Sequence, residues 1–235
     1  MTDLSRWQKL RRSLAASAGD IVFGMEDGTV SIFGLVFGVA ATTNDQSTVL
    51  IAGASGAAAA AVSMMAGTYL DVETGQDQAR LARARIAAEL RQEPAAVLDS
   101  VTRRLDAAGM ARDQVLSLRD FLSSRPAVLG GLACALARPA DDGSVESPLT
   151  QSLWMLVADF FAAAIPIVPF GFLAVPQGRI VSATVTMLLL IGLGIGRAKV
   201  GERPLLRTVA ETVSIGLAAA LAGVGIGLAI AHAFG

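Results

Sequence analysis

The chain has 235 residues with a formal net charge of −1; 53% are hydrophobic, only 5% aromatic, and 24 are Gly, giving a mean hydropathy of +0.57. A soluble domain of this size needs more polar surface, so the apolar excess must face lipid. The near-zero charge excludes a strongly basic nucleic-acid footprint, and the single cysteine, Cys134, excludes an intrachain disulfide framework or a CxxC metal knuckle.

The first twenty residues are polar and basic, with Arg6, Lys9, Arg11 and Arg12. They lack the contiguous apolar core of a cleavable signal peptide, so the first membrane helix is expected to act as its own targeting signal. A bilayer takes about 20 mainly apolar residues per helix. Five segments meet that length, at 21–42, 47–70, 149–173, 180–196 and 208–233. The fourth is short, and Pro166 and Pro169 are expected to kink or end the third near its outer end.

Between the second and third spans lies a charged stretch, 71–148, divided by Pro94, Gly109 and Pro126 into helical pieces. Each piece has apolar residues three and four apart, for example Leu98, Val101 and Leu105. The linker ARPADDGSVESP, 137–148, returns the chain to the membrane. The expected fold is therefore all-α: residues 1–70 hold an N-terminal segment and helices 1 and 2, residues 71–148 form an inserted cytosolic helical domain, and 149–235 hold helices 3 to 5. Arg197, Lys199, Arg203 and Arg207 make the loop after the fourth span basic, whereas the loops near 44–45 and 176–179 are poor in positive charge. The positive-inside rule then puts the N-terminus and 71–148 in the cytosol and the C-terminus outside, and the membrane is expected to be a bacterial plasma membrane.

The stretch GASGAAAAAVSMMAGTYLDVE, 53–73, is the most informative. Gly53, Ala57 and Ala61 recur every four residues, a pattern that lets helix backbones approach. Met64 follows on a stripe with Gly56, Ala60 and Asp71. A thioether beside carboxylates suits a transition-metal cation better than Ca²⁺ or Mg²⁺, which prefer all-oxygen shells. Met65 reads as packing.

Charges inside spans are costly, about 2.5 to 3.5 kcal/mol on insertion scales, and usually face a protein interior or a water-filled path. Asp27 shares a helix face with Ser31, Gly34 and Gly38. Its competing reading is a helix cap or an interface carboxylate. Glu26 points about 100° away and is expected to be solvated or interfacial. Asp159, in LWMLVADFFAAAIPIVPF, is the most isolated charge in the chain, with Met155 and Ala163 one turn to either side. Its competing reading is a structural carboxylate bonded to a neighbouring serine or backbone group. Glu211 and His232 read as interfacial. The mixed charges of 71–148 read as a solvated helix surface. No P-loop, GxSxG, HExxH or EF-hand spacing occurs, so neither an enzyme nor a resident cofactor is expected.

DGTVSIFGLVFGVA at 27–40, AGASGAAAAAVSMMAGTYL at 52–70, AIPIVPF at 164–170 and the order of two helices, a helical insertion and three helices together resemble the vacuolar iron transporter family. The resemblance implies a five-span homodimer exporting Fe²⁺, often also Mn²⁺, from the cytosol in exchange for protons, with metal passing near the dimer axis. It places Asp27 on the family's first-helix aspartate and Met64 on its second-helix methionine. Gly56 stands where the family commonly has a glutamate, and Asp159 where members can carry a tyrosine, which suggests a pathway carboxylate moved between helices. Among the positions aligned with cytosolic metal ligands (Ile86, Glu89, Val97, Ser100, Ala133, Cys134 and Ala137), only Glu89 is a carboxylate, so the inserted domain is expected to be structural or dimerising. The metal-ligand expectation is therefore Asp27, Met64 and Asp159, with Glu26 and Glu89 as further candidates, and metal ion, protons, lipid and a second copy as partners. The alternatives are a membrane scaffold or metal-responsive sensor without transport, or a carrier of a different cation.

Overall fold

The structure is a computed structural model that describes residues 17–137 and 147–234. The basic N-terminal residues and most of the linker 137–148 lie outside the described residues. In chain order the helices are α1 (Ala18–Thr42), α2 (Gln46–Gln92), α3 (Pro94–Ala107), α4 (Arg112–Ser123), α5 (Pro126–Ala137), α6 (Pro148–Ile167), α7 (Pro169–Phe172), α8 (Val175–Val200) and α9 (Leu205–Phe234). No strand occurs among the described residues. Among the described residues five helices, α1, α2, α6, α8 and α9, are long and apolar enough to cross a membrane, as the hydropathy pattern predicts.

The chain divides into two units, one of 1–70 with 146–235 and one of 71–145, and α2 contributes to both. In the first unit α1 is the central helix, packed against α6, α8 and α9. Its contact with α9 is made by backbone. A Cβ on Gly34 would lie 2.8 Å from the Ala219 carbonyl oxygen, and one on Gly38 would lie 2.6 Å from that of Gly223. In return, Cβ atoms on Gly223 and Gly227 would collide with the Gly34 and Gly38 carbonyl oxygens. Two facing Gly-xxx-Gly pairs thus bring the backbones together. On α2, the small-residue pattern of Gly53, Ala57 and Ala61 does mark the buried face. There, however, Gly53 receives the side chains of Ile167 and Val36 rather than a backbone. Ile32, Val36, Val49, Ala57, Ala163, Ile167 and Phe170 join α1, α2, α6 and α7 in one apolar cluster.

The third span breaks at its prolines as expected, while the bounds of the fourth differ from the expectation. α6 ends at Ile167, and the one-turn α7 follows, because Pro166 and Pro169 each lack the amide that would continue the helix. The Ser182 hydroxyl donates to the Pro166 carbonyl at 2.7 Å, satisfying an acceptor at that break. The fourth span is not short: α8 has 26 residues. Charge did not end it, because Arg179 near its start donates to the Ala40 carbonyl and Arg197 near its end reaches a carboxylate of α1. Asp45 caps α2, accepting from the Thr48 amide at 2.9 Å and from the Thr48 hydroxyl. The Thr48 hydroxyl and then its amide hold the Asp45 carboxyl below the usual aspartate value.

In the second unit, Val97, Leu98, Val101, Leu122, Leu129 and Ala133 form a core with Ile86 and Leu90 of α2 packed on it. Proline at the first turn starts α3 and α5, and Gly109, at φ +92°, takes the left-handed turn after α3. Arg119 and Asp99 pair at 2.7 Å on the surface.

Candidate metal site in the membrane unit

α1 and α6 run parallel and in register. Gln151 Nε2 donates to Asp20 Oδ2; one turn on, Met155 covers Gly24; one turn further, Asp159 covers Gly28. A Cβ on Gly24 would collide with Met155 Sδ. One on Gly28 would collide with Asp159 Oδ1 and lie 2.8 Å from the Asp159 carbonyl oxygen and 3.0 Å from its Cγ. The glycines therefore make the room that these two side chains occupy. Asp159 is 0% exposed, and neither of its carboxylate oxygens has a hydrogen-bond partner among the described residues. Nearly all buried polar groups are bonded, so an orphaned carboxylate in a membrane helix marks a place for something else. Asp27, half-buried on α1, is next in sequence to Gly28, on which Asp159 sits.

Glu26 has the opposite surroundings. The expectation of a solvated or interfacial group is wrong: it is 8% exposed. Arg197 of α8 donates to its Oε1 at 3.0 Å and its Oε2 at 3.4 Å, and the Thr212 hydroxyl of α9 donates to Oε1 at 3.1 Å. The 100° turn away from Asp27 holds, but it leads to α8 and α9 instead of to water. The signal that could have found this was Arg197 itself, a cation only one residue past the predicted end of the fourth span.

The remaining candidates are dispersed. Met64 is half-buried on α2. The place of the missing glutamate, Gly56, is filled by the side chains of Leu35 and Ile32. Ser31 is exposed, so only Gly34 and Gly38 of the face shared with Asp27 are turned into the bundle. Glu89 is exposed and belongs to the second unit. There, Val97 and Ala133 are buried core and Ile86 packs against them, and no group of three or more His, Cys, Asp or Glu comes together among the described residues. Glu211 accepts from Arg207 at 3.0 Å on the α9 surface.

A sequence profile of the VIT family matches residues 18–228. The chain belongs to the VIT family. Its VIT-family relatives are distant. "Vacuolar iron transporter 1" of Oryza sativa subsp. japonica is 26% identical over 218 residues, covering 90% of this chain and 84% of the rice protein. "Vacuolar iron transporter 1" of Arabidopsis thaliana is 25% identical over 219 residues, covering 91% and 86%. "Vacuolar iron transporter 1" of Eucalyptus grandis is 23% identical over 216 residues, covering 90% and 85%.

Proposed function

We propose that this VIT-family chain exports a divalent transition metal, Fe²⁺ or Mn²⁺, from the cytosol in exchange for protons, with Asp27, Met64 and Asp159 as transient ligands. The observation that supports this most is the unpartnered, fully buried Asp159 beside Asp27. A carboxylate oxygen binds either a cation or a proton, so metal affinity through these groups depends on pH and a metal entering displaces protons. The names of the plant relatives favour iron as cargo. Glu26, already held by Arg197 and Thr212, serves better as an anchor than as a ligand, and Glu89 lies outside this pathway.

In this reading the working unit is a homodimer. Ser55, Ala59, Ser63 and Gly67 recur every four residues on an exposed face of α2, and such a face brings membrane helices into close contact. The basic residues Arg197, Lys199, Arg203 and Arg207 put the α8–α9 connection, the N-terminus and 71–148 on the cytosolic side of a plasma membrane.

Purified protein in liposomes, loaded with Fe²⁺, Mn²⁺, Co²⁺ or Zn²⁺ with and without a pH gradient, tests the proposal. Gradient-dependent movement of Fe²⁺ or Mn²⁺ is expected. A correctly inserted protein that moves none of the four would favour the scaffold or sensor reading instead.

A further inference from the structure

Along one face of α6, at four-residue spacing, stand three groups with spare electron pairs: the Gln151 amide oxygen, the Met155 sulfur and the Asp159 carboxylate. Gln151 Oε1 is buried without a hydrogen-bond partner, as are both oxygens of Asp159. Met155 is 3% exposed, with its sulfur turned onto Gly24. Residues four apart on a helix lie about 5–6 Å from each other at Cβ, near enough for Met155 and Asp159 to reach one ion between them. Gly24 and Gly28 keep that strip of α1 free of side chains.

We propose that Met155 Sδ and the Asp159 carboxylate form a mixed thioether–carboxylate cation site inside a single protomer, in the α1–α6 seam, approached past Gln151. The site rests on the transport reading above but adds a ligand and a location to it: it needs no second copy, and the ion held at equilibrium takes its sulfur from Met155 of α6, with Met64 of α2 engaging the metal only in passage. A thioether beside a carboxylate favours borderline first-row transition ions, such as Fe²⁺ or Co²⁺, over the hard ions Mg²⁺ and Ca²⁺. Met155 is thereby a specificity-determining residue, and Gln151 supplies a neutral oxygen on the way in.

The test uses the full chain in detergent or nanodiscs with Co²⁺ as probe, measuring equilibrium binding and X-ray absorption at the cobalt edge. Wild type and Met64→Leu should both show sulfur in the cobalt shell. Met155→Leu, a near volume-conserving change that cores tolerate, should lose it and bind Co²⁺ about tenfold or more weakly, a loss that even outer partners of metal ligands cause. Mn²⁺ binding should change less in the same variant, and Asp159→Asn should weaken both ions. An all-oxygen shell in the wild type, or sulfur that disappears in Met64→Leu and stays in Met155→Leu, overturns the site. Flux that persists alongside such a result leaves the transport reading standing, whereas a cobalt–sulfur shell without flux in any liposome assay supports the site and sinks transport.

Discussion

The two sides of α1 treat buried carboxylates in opposite ways. Toward α8 and α9, Glu26 accepts from a guanidinium and a hydroxyl; toward α6, Asp159 accepts from nothing among the described residues. Both groups are costly in a membrane. The first cost is offset by partners supplied within the fold, which makes Glu26 a fastening between three helices. The second is left open among the described residues, and the proposed cation site at Asp159 rests on that. What separates structure from chemistry here is satisfaction, since burial is nearly the same for both.

That contrast is broken or sharpened by substitution. The largest expected effect is on transport: Asp27→Ala should reduce metal flux to the level of empty liposomes while the protein still inserts and folds. Wild-type flux from this variant would remove Asp27 from the site. Next, Glu26→Ala should destabilise the fold by about 2–3 kcal/mol. That is below the 3–5 kcal/mol typical of a broken buried pair, because the Arg197 side chain is 35% exposed; thermal unfolding in detergent reads it. An unchanged melting temperature would mean that the pair fastens nothing. Gly28→Ala should cost about 2–3 kcal/mol, toward the upper part of the range for overpacking, because the new methyl meets the Asp159 backbone carbonyl as well as its carboxylate. Gly171→Ala, which has nothing within 4 Å, is the control and should stay closer to wild type.

Asp159→Asn should leave stability level or raise it slightly, since it removes an unpaired charge and keeps the shape, while lowering the pH dependence of flux. A clear loss of stability would return Asp159 to the structural class. A Gly56→Glu change in that background tests whether α2 can supply the missing carboxylate, although the Leu35 side chain must move aside first. The interaction between the two changes separates a shared cavity from independent damage. The smallest effect belongs to Asp45. Its carboxyl is held below its unfolded value, so its contribution is fully present above that value and fades as the pH falls through the lower folded one. Asp45→Ala should therefore lower the melting temperature slightly at neutral pH and make no difference in strong acid.

Much of this was legible in the chain. Five spans follow from hydropathy alone, and Pro94, Pro126 and Pro148 open the helices they head, because proline suits a first turn and little else in a helix. The isolation of Asp159 and the soft neighbour Met155 could also be read directly. What could not be read was partnership across long sequence separations. Glu26 meets residues 171 and 186 positions away, and periodicity within one helix is silent about which other helix its faces meet. The same limit hid α9: Gly34 and Gly38 announce a close contact, but only the fold shows that Gly223 and Gly227 answer it. The ends of α8 were missed because a hydropathy threshold stops at an arginine, whereas the helix continues and carries the arginine to its acceptor.

The glycine contact between α1 and α9 also has a mechanical meaning. With carbonyl oxygens of each helix seated where the other would carry methyl groups, neither can slide or turn against the other without steric collision. The pair behaves as one stiff spindle. α2, which meets α1 through flexible side-chain ends such as Leu35, has no such lock. Under the proposed transport, displacement is therefore cheapest in α2 and at the proline break between α6 and α7.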